Sequence, residues 1–567
     1  MLIPLLCIAL RPRFPTDDIG LTIPRQPNVT DGLRYLSRVG VGQIRQSDSY
    51  TRSQQMCPNL LDRSSPRSPV AQVLLTHSYH LPFDPKQLRK MQPYMPIGTL
   101  YAATALRQTG ISVAVFDSML EAPSAKLTVA LTECKPRIVA VYEDDFNFLS
   151  KMCLTRMRDV AWEIAGAARS IGAITVVHGS DSTDNPSLFL ENGFDYVLCG
   201  EAEESLVQLC RSILNDEPTP EIDGMIRLDG DGSLVRSQQR LSKNPAWSEL
   251  SLPARDLIDM KPYREAWTKA HGHFSTNMVS SRGCPYNCNW CAKPISGNRF
   301  HLRSAESVAE EMLLMKESAG VQHIWFGDDV FALDRHWVQR FAEEVVKRDA
   351  ALPFKIQSRA DLMSEPIVKQ LKAAGCAEVW MGVESGSQAV LRAMDKGLKL
   401  SSVRTARSLL KEAGIRACYF LQFGYPGETW VDLRQTVAFV RETRPDDIGI
   451  SFSYPLPGTG FYERVKAQLG QKRNWTDSDD LCITFKAAYK TEFYRAVRDA
   501  LHAEVDAWGE AGVVPETHTR LDTLWRNVSD LEPVSREPDA FSFQEETPAF
   551  TSSVFVPVAE LTPARRN

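Results

Sequence analysis

The chain has 567 residues, of which 43% are hydrophobic and 24% are charged, a composition ordinary for a soluble globular protein with more than two domains. The formal net charge of -5 excludes the broad basic surface that general nucleic-acid binding requires. Most of the 12 cysteines stand alone in apolar runs, which disfavours a disulfide framework and indicates a reducing, cytoplasmic setting.

The first segment, residues 1–68, is rich in Arg, Ser, Pro and Gln, and we expect a poorly ordered leader there. A start site placed too far upstream would also account for it. The apolar run at its beginning is short and lacks a preceding basic region, which disfavours a signal peptide. No later apolar stretch is long enough to span a bilayer, so we expect no transmembrane segment.

Residues 69–216 alternate short apolar runs with longer helical patterns, which predicts a doubly wound parallel sheet of the flavodoxin or Rossmann kind. The predicted strands are VAQVLLTHS, SVAVFDS, IVAVYE, ITVVHGS and FDYVLCG. Ligands of such sheets lie at the carboxyl ends of the strands. The loop from His77 to Pro96 is long for this architecture, which favours a functional role.

Residues 217–268 are predicted to be a connector that contains a hairpin, MIRLDGDGSLVRS. A second alternation of strands and helices fills residues 269–470 and predicts a partial (β/α)6 barrel. Its predicted strands are STNMVSS, HIWFGDD, FKIQSRAD, EVWMGVESG, ACYFLQFGYPG and DIGISFSYPLPG. We expect a helical segment over 471–530 and a disordered tail over 531–567.

Three cysteines, Cys284, Cys288 and Cys291, lie in a CxxxCxxC spacing just after the first predicted barrel strand. At this cysteine content, chance would place three at that spacing about 0.005 times per chain. Thiolates bind iron–sulfur clusters, normally one per iron, so three of them leave one iron of a cubane open to a substrate or cofactor. Gly283, Pro285 and Asn287 favour a loop in which the thiolates converge.

A structural zinc site is the alternative for these cysteines. Such a site usually has four protein ligands, often supplied as two spaced pairs. No second pair is near, although His271, His273 or His301 could supply a fourth ligand.

The motif, its place after the first barrel strand and the domain order resemble the radical S-adenosylmethionine (SAM) superfamily. They are most similar to the branch with an N-terminal cobalamin (B12)-binding-like domain, over roughly residues 70–510. The resemblance implies a 4Fe–4S cluster whose open iron binds the amino and carboxylate groups of SAM. It also implies that one-electron reduction cleaves SAM to a 5′-deoxyadenosyl radical, which abstracts hydrogen from a substrate.

The resemblance further implies SAM contacts at the ends of the second to fifth barrel strands. Gly327, Asp328 and Asp329 take the place of the amino-group motif, although the common Gly-Gly-Glu form is absent. Arg359 is predicted to meet the SAM carboxylate, which a planar guanidinium suits. The remaining strand-end candidates are Glu384 and Ser385 for the ribose hydroxyls, and Gly424 and Pro426 near the adenine.

Two aromatic residues of the cysteine loop, Tyr286 and Trp290, complete the predicted cofactor contacts, and the resemblance implies that the aromatic just before the third cysteine lies against the SAM adenine. Packing beneath the loop is the alternative role for them. For any other single candidate, the alternative is a loop turn or a surface ion pair. No residue is assigned to the chemical step.

Cobalamin binding by the first domain is a separate prediction. Many cobalamin domains carry an Asp-x-His-x-x-Gly motif whose histidine ligates cobalt, whereas here His77 and His80 occur without that motif. This is similar to the radical SAM branch, in which cobalamin is thought to be bound without a protein histidine on the metal. Segments 178–186 and 199–205 resemble those of the branch, apart from Ser180 and Ala202 in place of glycine. The alternatives are that this domain binds another ligand or that it is a structural relic.

The leading hypothesis is cobalamin-dependent methyl transfer to an unactivated carbon (or phosphorus) of a small-molecule or lipid substrate. Oxidative cyclisation or rearrangement, as in tetrapyrrole cyclases of the branch, is the alternative with the same cofactors. Methylthiotransfer is disfavoured because no second set of three clustered cysteines is recognisable. A non-catalytic cluster- or corrin-binding sensor is a further alternative. The expected partner is an electron donor such as flavodoxin or ferredoxin. We expect no nucleic-acid partner.

Overall fold

The computed structural model describes the chain with several gaps, and the predicted leader lies outside the described residues, as does most of the predicted tail. The described residues are 71–120, 124–144, 146, 154–238, 252–293, 295–470, 474–480, 482–508, 515–538 and 540.

The first domain is a seven-stranded sheet in the order β2-β1-β3-β4-β5-β6-β7. Its strands are β1 (Val73–Thr76), β2 (Val113–Phe116), β3 (Ile138–Tyr142), β4 (Ile174–His178), β5 (Tyr196–Leu198), β6 (Met225–Leu228) and β7 (Leu234–Arg236). The first five strands are parallel, which confirms the doubly wound sheet. Because β1 lies between β2 and β3, the strand order reverses there, and the expected ligand crevice opens beside β1 and β3.

The predicted hairpin forms as β6 and β7, and it extends this sheet through antiparallel pairing of β6 with β5. Helices cover both faces of the sheet, as buried parallel strands require. They are α1 (Pro85–Lys90), α2 (Ile97–Gln108), α3 (Ser124–Cys134), α4 (Thr155–Ser170), α5 (Ser180–Asp184), α6 (Pro186–Glu191) and α7 (Glu203–Leu214).

The second domain is a six-stranded, all-parallel sheet, and it confirms the predicted partial barrel. Its strands run in chain order from one edge to the other: β8 (Ser275–Met278), β11 (His323–Phe326), β12 (Phe354–Ser358), β13 (Cys376–Glu384), β14 (Arg416–Phe423) and β15 (Asp447–Phe452). An antiparallel hairpin, which the sequence pattern does not predict, flanks the cysteine loop as β9 (Ser281–Gly283) and β10 (Phe300–Leu302).

Helix α8 (Met260–His271) precedes the first barrel strand; it begins in the predicted connector and ends three residues beyond it. The helices that follow are α9 (Ala305–Glu317), α10 (Arg335–Lys347), α11 (Glu365–Ala374), α12 (Gln388–Ala393), α13 (Leu400–Glu412), α14 (Trp430–Thr443), α15 (Gly460–Val465), α16 (Thr491–Trp508) and α17 (Pro515–Val534). Local sequence sets several starts; for example, Thr429 and Asp432 form a capping box at α14. None of the helices within the described residues is long and apolar enough to cross a membrane.

The barrel interior is partly polar because side chains alternate between the two faces of each strand. One row in register places Asn277, Trp325, Lys355, Glu378 and Arg416 on the same face of five neighbouring strands. Residues of the opposite parity are mostly apolar and pack against the helices.

The first domain reaches into this interior. The ring of Tyr94, from the loop before α2, lies 4.5 Å from that of Trp325, with the ammonium of Lys355 over both rings. The two domains therefore share one core, in which the loop after β1 takes part.

A segment beyond the barrel, residues 474–480, returns to the first domain. The amide of Thr155 donates to the carbonyl of Trp475 at 2.8 Å, and the hydroxyl of Ser478 donates to the carboxylate of Asp84. These contacts close the chain over the loop that follows β1.

Candidate functional site

The three motif cysteines follow β9 directly and are buried as free thiols, with exposed fractions of 0%, 6% and 8% for Cys284, Cys288 and Cys291. Burial raises the pKa of the Cys288 thiol, whereas the positive charges of Lys396 and Arg359 act to lower it. Two cations therefore lie close enough to influence a thiolate in this loop.

The cysteine loop is held by the turn that follows α12. The backbone amide of Asn289 donates to the carbonyl of Met394 at 3.2 Å, and its side-chain amide donates to the carbonyl of Ala393 and the carboxylate of Asp395, both at 2.8 Å. The hydroxyl of Tyr425 donates to the Asn289 Oδ1 at 2.6 Å. The loop is thus anchored to two neighbouring strand-end segments.

Gly283 sets the entry to the loop. Its φ is +86°, and a Cβ there would lie 2.3 Å from the carbonyl oxygen of Arg299, just before the facing strand β10. Both the backbone conformation and the close approach therefore require glycine.

We expect Gly283→Ala to displace the cysteine loop and to lower the iron that the purified protein retains severalfold. Gly297→Ala is the matched control, because Gly297 also has a positive φ (+61°) in the same hairpin but has open space at its Cβ position. Iron content of both variants, measured after anaerobic purification, checks the expectation. Equal iron in the two variants would show that the close approach at Gly283 is unimportant.

The histidines considered as a fourth metal ligand are dispersed. His271 and His273 precede β8, at the end of the strand opposite the cysteines, and the His271 Nε2 lies 3.0 Å from the carbonyl of Met91. His301 pairs with Arg282 across the β9–β10 hairpin. Across the residues that the structure describes, no three His, Cys, Asp or Glu side chains converge to hold a single metal ion. A cubane requires a different arrangement, because each thiolate ligates its own iron.

The end of β11 places Gly327, Asp328 and Asp329 beside the strand that leads into the cysteine loop. The carboxylate of Asp328 accepts from the Ser280 amide at 2.7 Å and from the hydroxyls of Ser280 and Ser281. Burial raises the pKa of Asp328 to about 6. Asp328 thus supports the path of the chain before the cysteines, and its predicted contact with SAM stays a prediction.

Arg359, at the end of β12, is fixed from three sides. Its guanidinium makes two hydrogen bonds of 2.8 Å to the carboxylate of Asp361 and one of 3.1 Å to the carbonyl of Lys396. It also lies 3.8 Å from the ring centroid of Tyr286, so it contacts the cysteine loop directly. Trp290 is buried beneath that loop, and its indole N–H meets no acceptor among the described residues.

Glu384, at the end of β13, has the most unusual setting of the predicted residues. It is a buried non-glycine residue with φ +65°. Its Oε1 accepts from the Lys396 Nζ at 2.7 Å with both side chains at 0% exposure, while its Oε2 has no hydrogen-bond partner in the described parts of the chain. Such backbone strain with an unsatisfied carboxylate oxygen is typical of a ligand site.

Sequence reasoning missed Lys396. In the pattern MDKG, a lysine before glycine is an ordinary helix-end signal, and nothing in it predicts full burial. The Oγ of Ser385 lies 3.1 Å from the Thr436 Oγ1 and accepts from the Ser387 amide, which ties the loop to α14. Its predicted role toward ribose stays a prediction.

The Gly424 loop after β14 is closed by the C-terminal segment. Gly424 has φ +78°, and a Cβ there would lie 2.4 Å from the Cδ1 of Ile483. Its amide donates to the Glu428 carboxylate at 2.6 Å, and burial raises the pKa of Glu428 to about 8. Pro426 is buried in the same loop, and the predicted proximity of both residues to an adenine stays a prediction.

The carboxyl edge of the first sheet carries two recesses that meet at Ser78 and Met157. Both recesses are small and partly open to solvent. His80 lines the smaller recess, and its Nδ1 lies 2.7 Å from the carbonyl of Ser118. The Nε2 of His77 instead pairs with the carboxylate of Asp117 at 3.0 Å. The recesses therefore open beside β1, at the switch point of the sheet.

A buried ion pair joins this edge to the cysteine loop. Arg282, two residues before Cys284, donates to the carboxylate of Glu203 at 2.7 and 3.2 Å, and Glu203 begins α7 just after β5. Sequence reasoning missed this pair because its partners are far apart in the chain.

The comparisons agree with this arrangement. Residues 278–440 match the model of the radical SAM superfamily. The chain is 26% identical to an uncharacterized methyltransferase of Pyrococcus horikoshii, over 67% of this chain and 80% of that protein. It is 24% identical to the hopanoid C-3 methylase of Methylococcus capsulatus, over 66% of this chain and 69% of the methylase.

A solved structure shares the two-domain fold. It is the radical S-adenosylmethionine methyltransferase TsrM of Kitasatospora setae with cobalamin and a [4Fe-4S] cluster bound, with a TM-score of 0.59 and 22% identity over 70% of this chain and 75% of TsrM. The buried cysteine trio and strands β11 to β14 of the partial barrel lie within residues 278–440, the part of the chain that is similar to the radical SAM superfamily.

Proposed function

We propose that this protein is a cobalamin-dependent radical SAM enzyme that transfers a methyl group to an unactivated carbon (or phosphorus) of a small-molecule or lipid substrate. One observation carries the proposal: three buried free cysteines lie on a loop that contacts the strand-end residues predicted to bind SAM. The methyltransferase names of two relatives support methyl transfer over other outcomes.

The donor set fits a 4Fe–4S cluster and SAM. Cys284, Cys288 and Cys291 would hold three irons and leave the fourth open. The Oε2 of Glu384, which meets no donor in the described part of the chain, is a buried acceptor at a strand end, and this suits a ribose hydroxyl. Arg359 is held beside the loop as a cation for a carboxylate.

The first domain offers features that suit cobalamin. The recesses beside β1 lie where sheets of this strand order bind ligands. Glu201, just after β5, has a largely buried carboxylate near Ser296 and the positive charge of Arg282, and its oxygens suit amide donors on a corrin. The structure of TsrM contains cobalamin on a similar fold, which supports the same role here.

When bound, the cluster supplies an electron to SAM and cobalamin carries the methyl group. The residues of this chain bind and orient the cofactors, and they exclude water from the site. The buried Arg282–Glu203 pair sets the first domain against the cysteine loop, which would bring the two proposed cofactor sites next to each other. We also propose that an external electron donor, such as flavodoxin or ferredoxin, reduces the cluster.

Product analysis tests the proposed reaction. After anaerobic reconstitution with cobalamin, SAM and a strong reductant, we expect both 5′-deoxyadenosine and S-adenosylhomocysteine from the protein with its substrate. 5′-Deoxyadenosine without S-adenosylhomocysteine would contradict methyl transfer and favour cyclisation or rearrangement. A preparation without cobalamin is the control, and it should yield no methylated product.

A further inference from the structure

The turn formed by residues 393–396, which follows α12, joins separate parts of the site. Its backbone carbonyls at Ala393 and Met394 receive the side-chain and main-chain amides of Asn289 in the cysteine loop. Asp395 has φ +50° and its carboxylate accepts from the same side chain at 2.8 Å. The turn is therefore fixed to the loop that carries the cysteines.

Lys396 extends the turn toward two strand ends. Its carbonyl oxygen accepts from the Nη1 of Arg359 at 3.1 Å, and its ammonium donates to the Oε1 of Glu384 at 2.7 Å. Both members of the Lys396–Glu384 pair are at 0% side-chain exposure. One residue thus contacts the two side chains that are predicted to meet the carboxylate and the ribose of SAM.

The pair leaves one carboxylate oxygen in need of a partner. A buried ion pair is weak support for stability, because desolvation offsets much of the attraction between the charges. Here the Oε2 of Glu384 has no donor among the described residues, and the backbone at Glu384 is strained. An arrangement that keeps a charged oxygen unsatisfied is explained by a ligand that donates to it.

We propose that Lys396 is a positioning residue of the SAM site: its ammonium orients Glu384 toward the ribose hydroxyls, and its carbonyl holds Arg359 beside the cysteine loop. This inference rests on the proposed function. Lys396 itself need not touch SAM, because it acts through Glu384 and Arg359.

Binding of SAM and of its 2′,3′-dideoxy analogue to the reconstituted cluster protein tests the inference. In the unaltered protein, SAM should bind more tightly than the analogue. In Lys396→Met, which keeps the unbranched stem of the side chain but removes its charge, we expect that preference to fall about tenfold or more. Lys396→Arg should restore part of it. Lys399→Met, three residues away and exposed, should leave the preference unchanged.

Two further measurements keep the result interpretable. Iron content and the spectrum of the cluster without SAM report whether the Lys396→Met variant assembles its cluster normally. If that variant does not, the Glu384→Gln variant tests the role of the Glu384 carboxylate instead. An unchanged preference for SAM in both variants would overturn the inference alone. If the unaltered protein holds no 4Fe–4S cluster, or if SAM leaves the paramagnetic resonance spectrum of the reduced cluster unchanged, the proposed function falls as well.

Discussion

Replacing Cys288 by alanine should abolish cluster assembly and, with it, all reductive cleavage of SAM. Each thiolate of a 4Fe–4S cluster ligates its own iron, so the loss of one ligand leaves a cluster on two protein ligands. Cys288 lies in the middle of the buried loop, and no other described cysteine is part of that loop besides Cys284 and Cys291. The expected result is near-complete loss of iron and of the visible absorption of the cluster.

Cys376→Ala is the matched control for this change. Cys376 is also buried, but it begins β13, at the end of the strand opposite the site. We expect the control to keep its iron and its cleavage of SAM. An intact 4Fe–4S spectrum in Cys288→Ala, or zinc in place of iron in the unaltered protein, would contradict the ligand assignment on which the proposed function depends.

The sequence predicts the parallel strands well because each is a short apolar run between turn signals, and such runs need no knowledge of their partners. It also predicts which loops meet, since the carboxyl ends of parallel strands share one edge. Arg359 and Glu384 are therefore found at the site from their places at the ends of β12 and β13.

The sequence does not predict the contacts that connect these loops. The pairing of Arg282 with Glu203 and the burial of Lys396 depend on how two domains and three strand ends pack together. A lysine or arginine is most often exposed, so an isolated one carries no sign of burial. The β9–β10 hairpin is missed for a different reason: its strands are only three residues long.

The largest expected effect on stability is that of Glu311→Ala. Glu311, on α9, receives the Nη2 of Arg255 at 3.0 Å and the Nη1 of Arg303 at 2.6 Å, and all three side chains are at most 2% exposed. Removing its carboxylate leaves two buried cations with their shared counter-charge gone. Breaking a buried pair in this way typically costs about 3–5 kcal/mol, a large share of the stability of an ordinary domain.

The consequence of Glu311→Ala should extend to the cluster. The same two guanidinium groups donate to the carbonyls of Asn277 and Val279, at 2.6 and 2.9 Å, where the first barrel strand leads into the cysteine loop. Denaturant unfolding should therefore shift to a lower midpoint, and less iron should be retained by the folded protein. Glu310→Ala, on the exposed side of the same helix, should change the free energy of unfolding by less than about 0.5 kcal/mol. Equal midpoints for the two variants would show that the carboxylate of Glu311 does not stabilise the start of the barrel.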